Sequence, residues 1–159
     1  MLPRPNTAEI LGAQTFLRVL GADYKNRYMV KAVVTWFRQE TGGVSKVIHN
    51  NPFNIRPGVA SKYSDGTWQG RVGTFLSFST LSKGFAACAI ALRSMAPYYG
   101  YGTVIIAAKS GNATRFLAAL ALSNWDGTHY GVDMNHREEA FTTKNHLRDV
   151  YNQIPLPVL

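Results

Sequence analysis

Between Arg27 and Gly43 the apolar positions Met29, Val33, Trp36 and Phe37 fall three and four residues apart, the spacing of one face of an amphipathic helix. Glu40 continues that stripe four residues after Trp36, and Gly42-Gly43 then supply a helix stop. The pattern predicts a helix that carries a carboxylate into its last turn, in line with its apolar face. Before it, Asn6-Thr7-Ala8-Glu9 reads as an N-cap with a glutamate three residues on. It opens a short helix through Ile10, Ala13, Leu17 and Leu20 that closes at Gly21.

From Gly42 to about Ser79 the helical period is lost. Glycines, Pro52, Pro57 and Asn50-Asn51 break helices, while Thr74-Phe75-Leu76-Ser77-Phe78 reads as a short strand. A loop-rich lobe with a small antiparallel sheet is expected there. Helical spacing resumes from a Ser82 cap through Phe85, Ala89, Leu92 and Met95, then from a Thr103 cap to Gly111, then over roughly Ala113 to Leu122. After Asn124-Trp125-Asp126-Gly127, a last helix is expected from Asn135, with Glu138 at the capping-box position, to Asn152. The prolines of Ile154-Pro155-Leu156-Pro157 predict a non-helical tail. The fold class expected is α+β, mainly α, in one domain of residues 1–159 with a short tail over 153–159.

Composition narrows the function classes. A hydrophobic content of 46% and a charged content of 16% describe a globular chain, and 159 residues can bury about two thirds of their unfolded surface. With 17 Lys+Arg against 9 Asp+Glu, the formal charge of +8 predicts attraction to polyanions: nucleic acid, anionic lipid, or a bacterial wall carrying acidic polymers. The basic residues are scattered without a run of five, which argues against a dedicated nucleic-acid arm. The single Cys88, set among Phe85, Ala87, Ala89 and Leu92, excludes an internal disulfide and reads as a buried thiol. His49, His129, His136 and His146 show no metal-binding spacing, so neither metal nor other cofactor is expected. No stretch approaches a membrane span or an export signal.

Glu40 is the candidate for chemistry. Apolar neighbours disfavour an ionised carboxylate, and so does the negative end of a helix dipole. Both push toward a group that is still protonated near neutral pH and can act as a general acid.

The order of helix, acid and polar lobe resembles the lysozyme superfamily, whose catalytic glutamate ends a helix beside a small sheet. Asn50-Asn51-Pro52-Phe53-Asn54-Ile55-Arg56, Trp68-Gln69-Gly70, Phe75 to Phe78, Gly84-Phe85-Ala86-Ala87, Leu92 and Gly102-Thr103-Val104-Ile105-Ile106 are similar to phage virion proteins of the NNPxNIR type. Glu40-Thr41-Gly42-Gly43 and the stretch from Ser123 to Gly131 resemble glucosaminidase and actinobacteriophage lysin domains. Three positions depart from those patterns: Phe53 stands where the virion pattern has glycine, Ala86 where it has arginine, and Trp125 near where many glucosaminidases place an active-site tyrosine.

The resemblance implies cleavage of the peptidoglycan glycan strand by a tail-associated or lysin enzyme, with other phage tail proteins as candidate partners. It implies neither a specific nucleic-acid partner nor membrane insertion. Location in the virion tail, or in the host cytoplasm before release to the wall, follows from the same resemblance. Such a reaction needs an acid on the leaving oxygen plus a nucleophile, a base for water, or an internal hydroxyl. Glu40 fits the acid. Among the other carboxylates, Glu9, Glu138, Glu139 and Asp149 read as helix caps or solvated faces, and Asp23 and Asp133 as turn residues. Asp65 and Asp126 remain, and Asp65 in the polar lobe is the better second carboxylate, although Asp65-Gly66 also reads as a plain turn. Tyr63, Trp68, Tyr98, Tyr101, Trp125 and Tyr130 supply flat rings with polar handles for sugar faces. Asn51 and Asn54 could bond N-acetyl groups or hold their own loop. The rival expectation is an inactive lysozyme-like structural or wall-binding module of a virion.

Overall fold

The computed structural model describes residues 1–123, 125 and 137–159, and of 137–143 the backbone alone. Among these residues the regular elements are α1 (Thr7–Leu20), α2 (Arg27–Thr41), β1 (Gly66–Gly70), β2 (Gly73–Ser77), α3 (Leu81–Ser94), α4 (Tyr101–Lys109), α5 (Ala113–Leu122) and α6 (Arg137–Gln153). Single 3-10 turns stand at Val44–Lys46 and Ser61–Tyr63. The class is α+β, dominated by helix, with one two-stranded antiparallel sheet.

The α1 start follows the expected capping box. Asn6 Oδ1 accepts the Glu9 N–H, and Glu9 Oε2 accepts the Asn6 N–H, both at 3.0 Å. Glu9 is more than a cap, however. It is 2% exposed, and its Oε1 accepts from Arg38 Nε at 2.7 Å, tying α1 to the last turns of α2. Arg38 Nη1 also donates to the Pro3 carbonyl at 2.8 Å, so the same guanidinium clasps the N-terminal segment. A solvated helix face, the other expectation for Glu9, is therefore corrected.

Helix α2 is enclosed on all sides along its middle, not on a single stripe. Every residue from Met29 to Phe37 is buried, and the helix packs against α1, α5 and α6. Lys31 survives in that run by laying its ammonium over the Tyr151 ring at 4.1 Å, and burial lowers its pKa from the ordinary lysine value. Gly42 ends the helix in the left-handed region at φ 80°, donating its N–H to the Arg38 carbonyl at 2.7 Å.

Two helix starts differ from the expected ones. Thr80, not Ser82, caps α3, its side chain accepting from the Lys83 N–H at 3.2 Å. Helix α4 begins at Tyr101 after a left-handed Gly100, two residues before Thr103. Helix α5 covers the expected residues, capped by Asn112. The start proposed at Asn135 lies outside the described residues. Strand β2 pairs with β1 in a register that sets Phe75 opposite Trp68 and Leu76 opposite Thr67. Among the described residues no helix is long and apolar enough to cross a membrane.

Candidate active site

The loop from Ile48 to Arg56 is fastened residue by residue. His49 and Asn50 take positive φ (51° and 54°) between Ile48 and Asn51, which bridge each other as in a tight reverse turn. The Asn50 amide donates to the Phe78 carbonyl at 2.9 Å, and the His49 carbonyl accepts from the Phe78 N–H at 3.0 Å. Asn51 is buried. Its Nδ2 donates to the Ile55 and Leu76 carbonyls, both at 2.9 Å, and its Oδ1 accepts the Ile55 N–H at 2.8 Å. Of the two roles open to Asn51, it takes the structural one. No donor is left to reach an N-acetyl group, so its placement among sugar-binding residues is corrected. Pro52 and the Asn50 carbonyl lie so close to Gly84 of α3 that a Cβ there would collide with both. Asn54, at φ 54°, keeps an exposed side chain.

Phe53 is the plug that the loop drives into the core. It is 2% exposed, with its ring centroid 4.3 Å from Trp36, 5.1 Å from Phe85, 6.2 Å from Phe37 and 6.3 Å from Trp125. A glycine in its place would leave that space to other side chains.

Glu40 sits half-buried in the last turn of α2, and Trp36 Nε1 donates to its Oε1 at 3.3 Å. The four-residue spacing brings the indole and the carboxylate onto one face. Trp36 is itself fully buried and set edge-on to Trp125, Phe16 and Phe116. The Cys88 thiol is fully buried, and its pKa is pushed well up by burial and further by the Glu40 carboxylate's charge. Burial likewise pushes the Tyr101 hydroxyl up, with Cys88 and Tyr99 adding to it.

The aromatic residues fall into two groups. Tyr101, at 7% exposure, touches Trp125 (5.9 Å) and Tyr99 (5.6 Å), and Tyr99 touches Tyr98 (6.2 Å), which is 63% exposed. A continuous run of rings thus leads from the surface at Tyr98 to Trp36 and Glu40. Tyr99 holds a left-handed φ of 62°, a strained setting for a bulky residue. Tyr101 is a buried link in this run, not an open surface for a sugar. Trp68 belongs to the hairpin. Its ring is stacked against both Phe75 (5.1 Å) and His49 (5.2 Å), and its Nε1 is buried with no hydrogen-bond partner among the described residues. With two rings already upon it, Trp68 is corrected from a sugar platform to the hinge of the hairpin's own stack. Tyr63 is exposed, with the Lys62 ammonium 5.2 Å from its ring.

Asp65 is 46% exposed at the base of the hairpin. Its Oδ2 accepts the Ser79 N–H at 2.6 Å and its Oδ1 faces Lys83 Nζ at 4.0 Å, so the carboxylate joins the hairpin to the start of α3. Tyr130, Asp126 and Asp133, together with the side chains of Glu138 and Glu139, lie outside the described residues.

The Trp36–Glu40 hydrogen bond went unread in the sequence, although the i, i+4 spacing that carries it was visible. Trp36→Phe keeps the ring in the core but removes a donor that favours the ionised carboxylate. The expected outcome is a Glu40 carboxyl that ionises at higher pH than in the parent, measured by titration of protein whose fold is unchanged. Comparison with protein-family models, curated proteins and solved structures returned no match to this chain.

Proposed function

We propose that this protein cleaves the glycan strand of bacterial peptidoglycan, with Glu40 as the general acid. The observation that carries the reading is a half-buried carboxylate in the last turn of an enclosed helix, held by an indole N–H above a wall of aromatic rings. Partial burial among aromatic rings suits a carboxyl that donates a proton to a leaving oxygen, and the exposed end of the adjoining run, Tyr98 and Tyr99, suits sugar rings. The resemblance of the Asn50–Arg56 and Glu40–Gly43 motifs to phage lysozyme-like enzymes supports the same substrate.

The engagement of Asp65 with Ser79 and Lys83 favours a route in which Glu40 acts without it. Glu40 gives its proton to the glycosidic oxygen as the bond to the anomeric carbon breaks. The sugar's own primary hydroxyl then closes on that carbon, returning its proton to the Glu40 carboxylate. The products are a shortened strand and an anhydro-sugar end, with no water consumed. On this reading Asp65→Asn changes kcat/KM by less than about threefold, under about 0.7 kcal/mol. A loss of a hundredfold in folded protein would restore Asp65 as the second catalytic carboxylate.

Delivery follows from the same reading. We place the protein in a phage tail, where the particle holds a weak binder at high effective concentration against the wall. Proteomics of purified virions tests this; presence in lysates but never in particles would assign it to lysis.

A further inference from the structure

One cluster of positive charge stands at the pole of the molecule where α2 begins, the opposite end of that helix from Glu40. Five helix ends meet there: the C-termini of α1, α3 and α4 and the N-termini of α2 and α5. The contacts that join them are specific. Arg93 Nη1, in the last turn of α3, donates to the Val19 carbonyl of α1 at 3.1 Å. Lys109, ending α4, lies over Gly21, with Cε 3.6 Å from where a Cβ would stand. The Asn26 amide at the α2 cap donates to the Gly111 carbonyl of the α4–α5 turn at 3.4 Å. Arg18 covers the Tyr24 ring at 4.2 Å, and Lys25 stands 5.9 Å from the same ring.

Six cations, Arg18, Lys25, Arg27, Arg93, Lys109 and Arg115, are therefore brought together, and all are exposed. Asp23 is the only carboxylate in the segments 18–27, 93–95 and 107–115 that form the pole, and its Oδ1 is engaged by the Lys25 N–H at 2.9 Å. Arg18, Arg93 and Lys109 have a local reason to be there, because cations stabilise helix C-termini. Arg27 and Arg115 do not. They stand in the first turns of α2 and α5, where the dipole repels them and no acidic residue offsets them. Charge that the fold does not use and leaves in solvent is open to an external anion.

We infer that this pole binds a linear phosphodiester polymer of the bacterial wall. The choice of polymer rests on the proposed glycan substrate. Arg27 and Glu40 are about 20 Å apart along α2, so pole and acid can engage neighbouring chains of one wall at once. Binding of this kind needs a repeated charge and no particular sugar.

The test uses the whole protein and sacculi in two states, native and stripped of phosphodiester polymer by hydrofluoric acid, with inorganic polyphosphate as a soluble probe. Duplex DNA and phosphatidylglycerol vesicles are run at equal phosphate. The variant is Lys25→Gln with Arg27→Gln and Arg115→Gln, three side chains that make no hydrogen bond within the described structure. Native sacculi should retain the protein at about 50 mM salt and release it toward about 200 mM. Stripped sacculi should retain several-fold less, and the triple variant should bind both alike. For polyphosphate, each lost contact should lower the salt slope by about 0.7–0.9. Equal retention by native and stripped sacculi overturns the inference, as does a triple variant that binds like the parent. Preference for DNA or vesicles over native sacculi also overturns it, by moving the partner to another class. Glu40→Gln should bind as the parent does. Charge-dependent binding by a protein that cleaves nothing leaves the pole's role standing and removes only the glycosidase reading.

Discussion

On the proposed function, Glu40→Gln is expected to leave the fold and wall binding intact and to lower glycan cleavage by roughly two to four powers of ten, the usual contribution of a general acid. The substitution is nearly isosteric, and the amide oxygen can still accept from Trp36 Nε1, so packing around Trp36 and Cys88 is undisturbed. What disappears is the proton for the leaving oxygen. Single-turnover release of glycan fragments measures this, with circular dichroism as the control for folding. Near-normal turnover in a folded variant would remove Glu40 from the chemistry and the proposed mechanism with it.

Phe53→Ala is expected to cost about 3–5 kcal/mol of stability, as for other fully buried aromatics cut back to a methyl. For a chain of this size that is a fall in Tm of roughly 10 °C. Phe53 meets Trp36, Phe37 and Phe85 at once, and the loop around it is fastened to β2 through Asn51. The cavity therefore opens against Trp36, which holds Glu40, and on the proposed function cleavage should fall together with stability. Denaturant unfolding followed by tryptophan fluorescence reads the first effect. A loss below about 1 kcal/mol would mean that the loop is held by its backbone and Asn51 alone.

Features carried by near neighbours in the chain were legible in the sequence. The Asn6–Glu9 capping box, the Gly42 stop, the span of α5 and the carriage of Glu40 into the last turn of α2 depend on spacing within a few residues. The α3 start was misplaced because Thr80 and Ser82 are both competent caps, and the strand's exit from Ser77 decides between them. Long-range partners were invisible. Nothing near Glu9 announces Arg38, twenty-nine residues away, and nothing near Asn51 announces the Leu76 carbonyl. Trp68 reads as an open ring until the hairpin register sets Phe75 across from it and the turn brings His49 onto it. Tyr101 reads as a loop residue until α4 begins two residues early and buries it. Of the two roles open to the asparagines of the Asn50–Arg56 motif, Asn51 takes the fastening of the loop.

Mass spectrometry of the products from purified peptidoglycan tests the central claim most directly. The account predicts glycan fragments ending in an anhydro-sugar, released by the parent protein and absent with Glu40→Gln. Intact strands after prolonged incubation with folded protein, or the same fragments from both proteins, would contradict it.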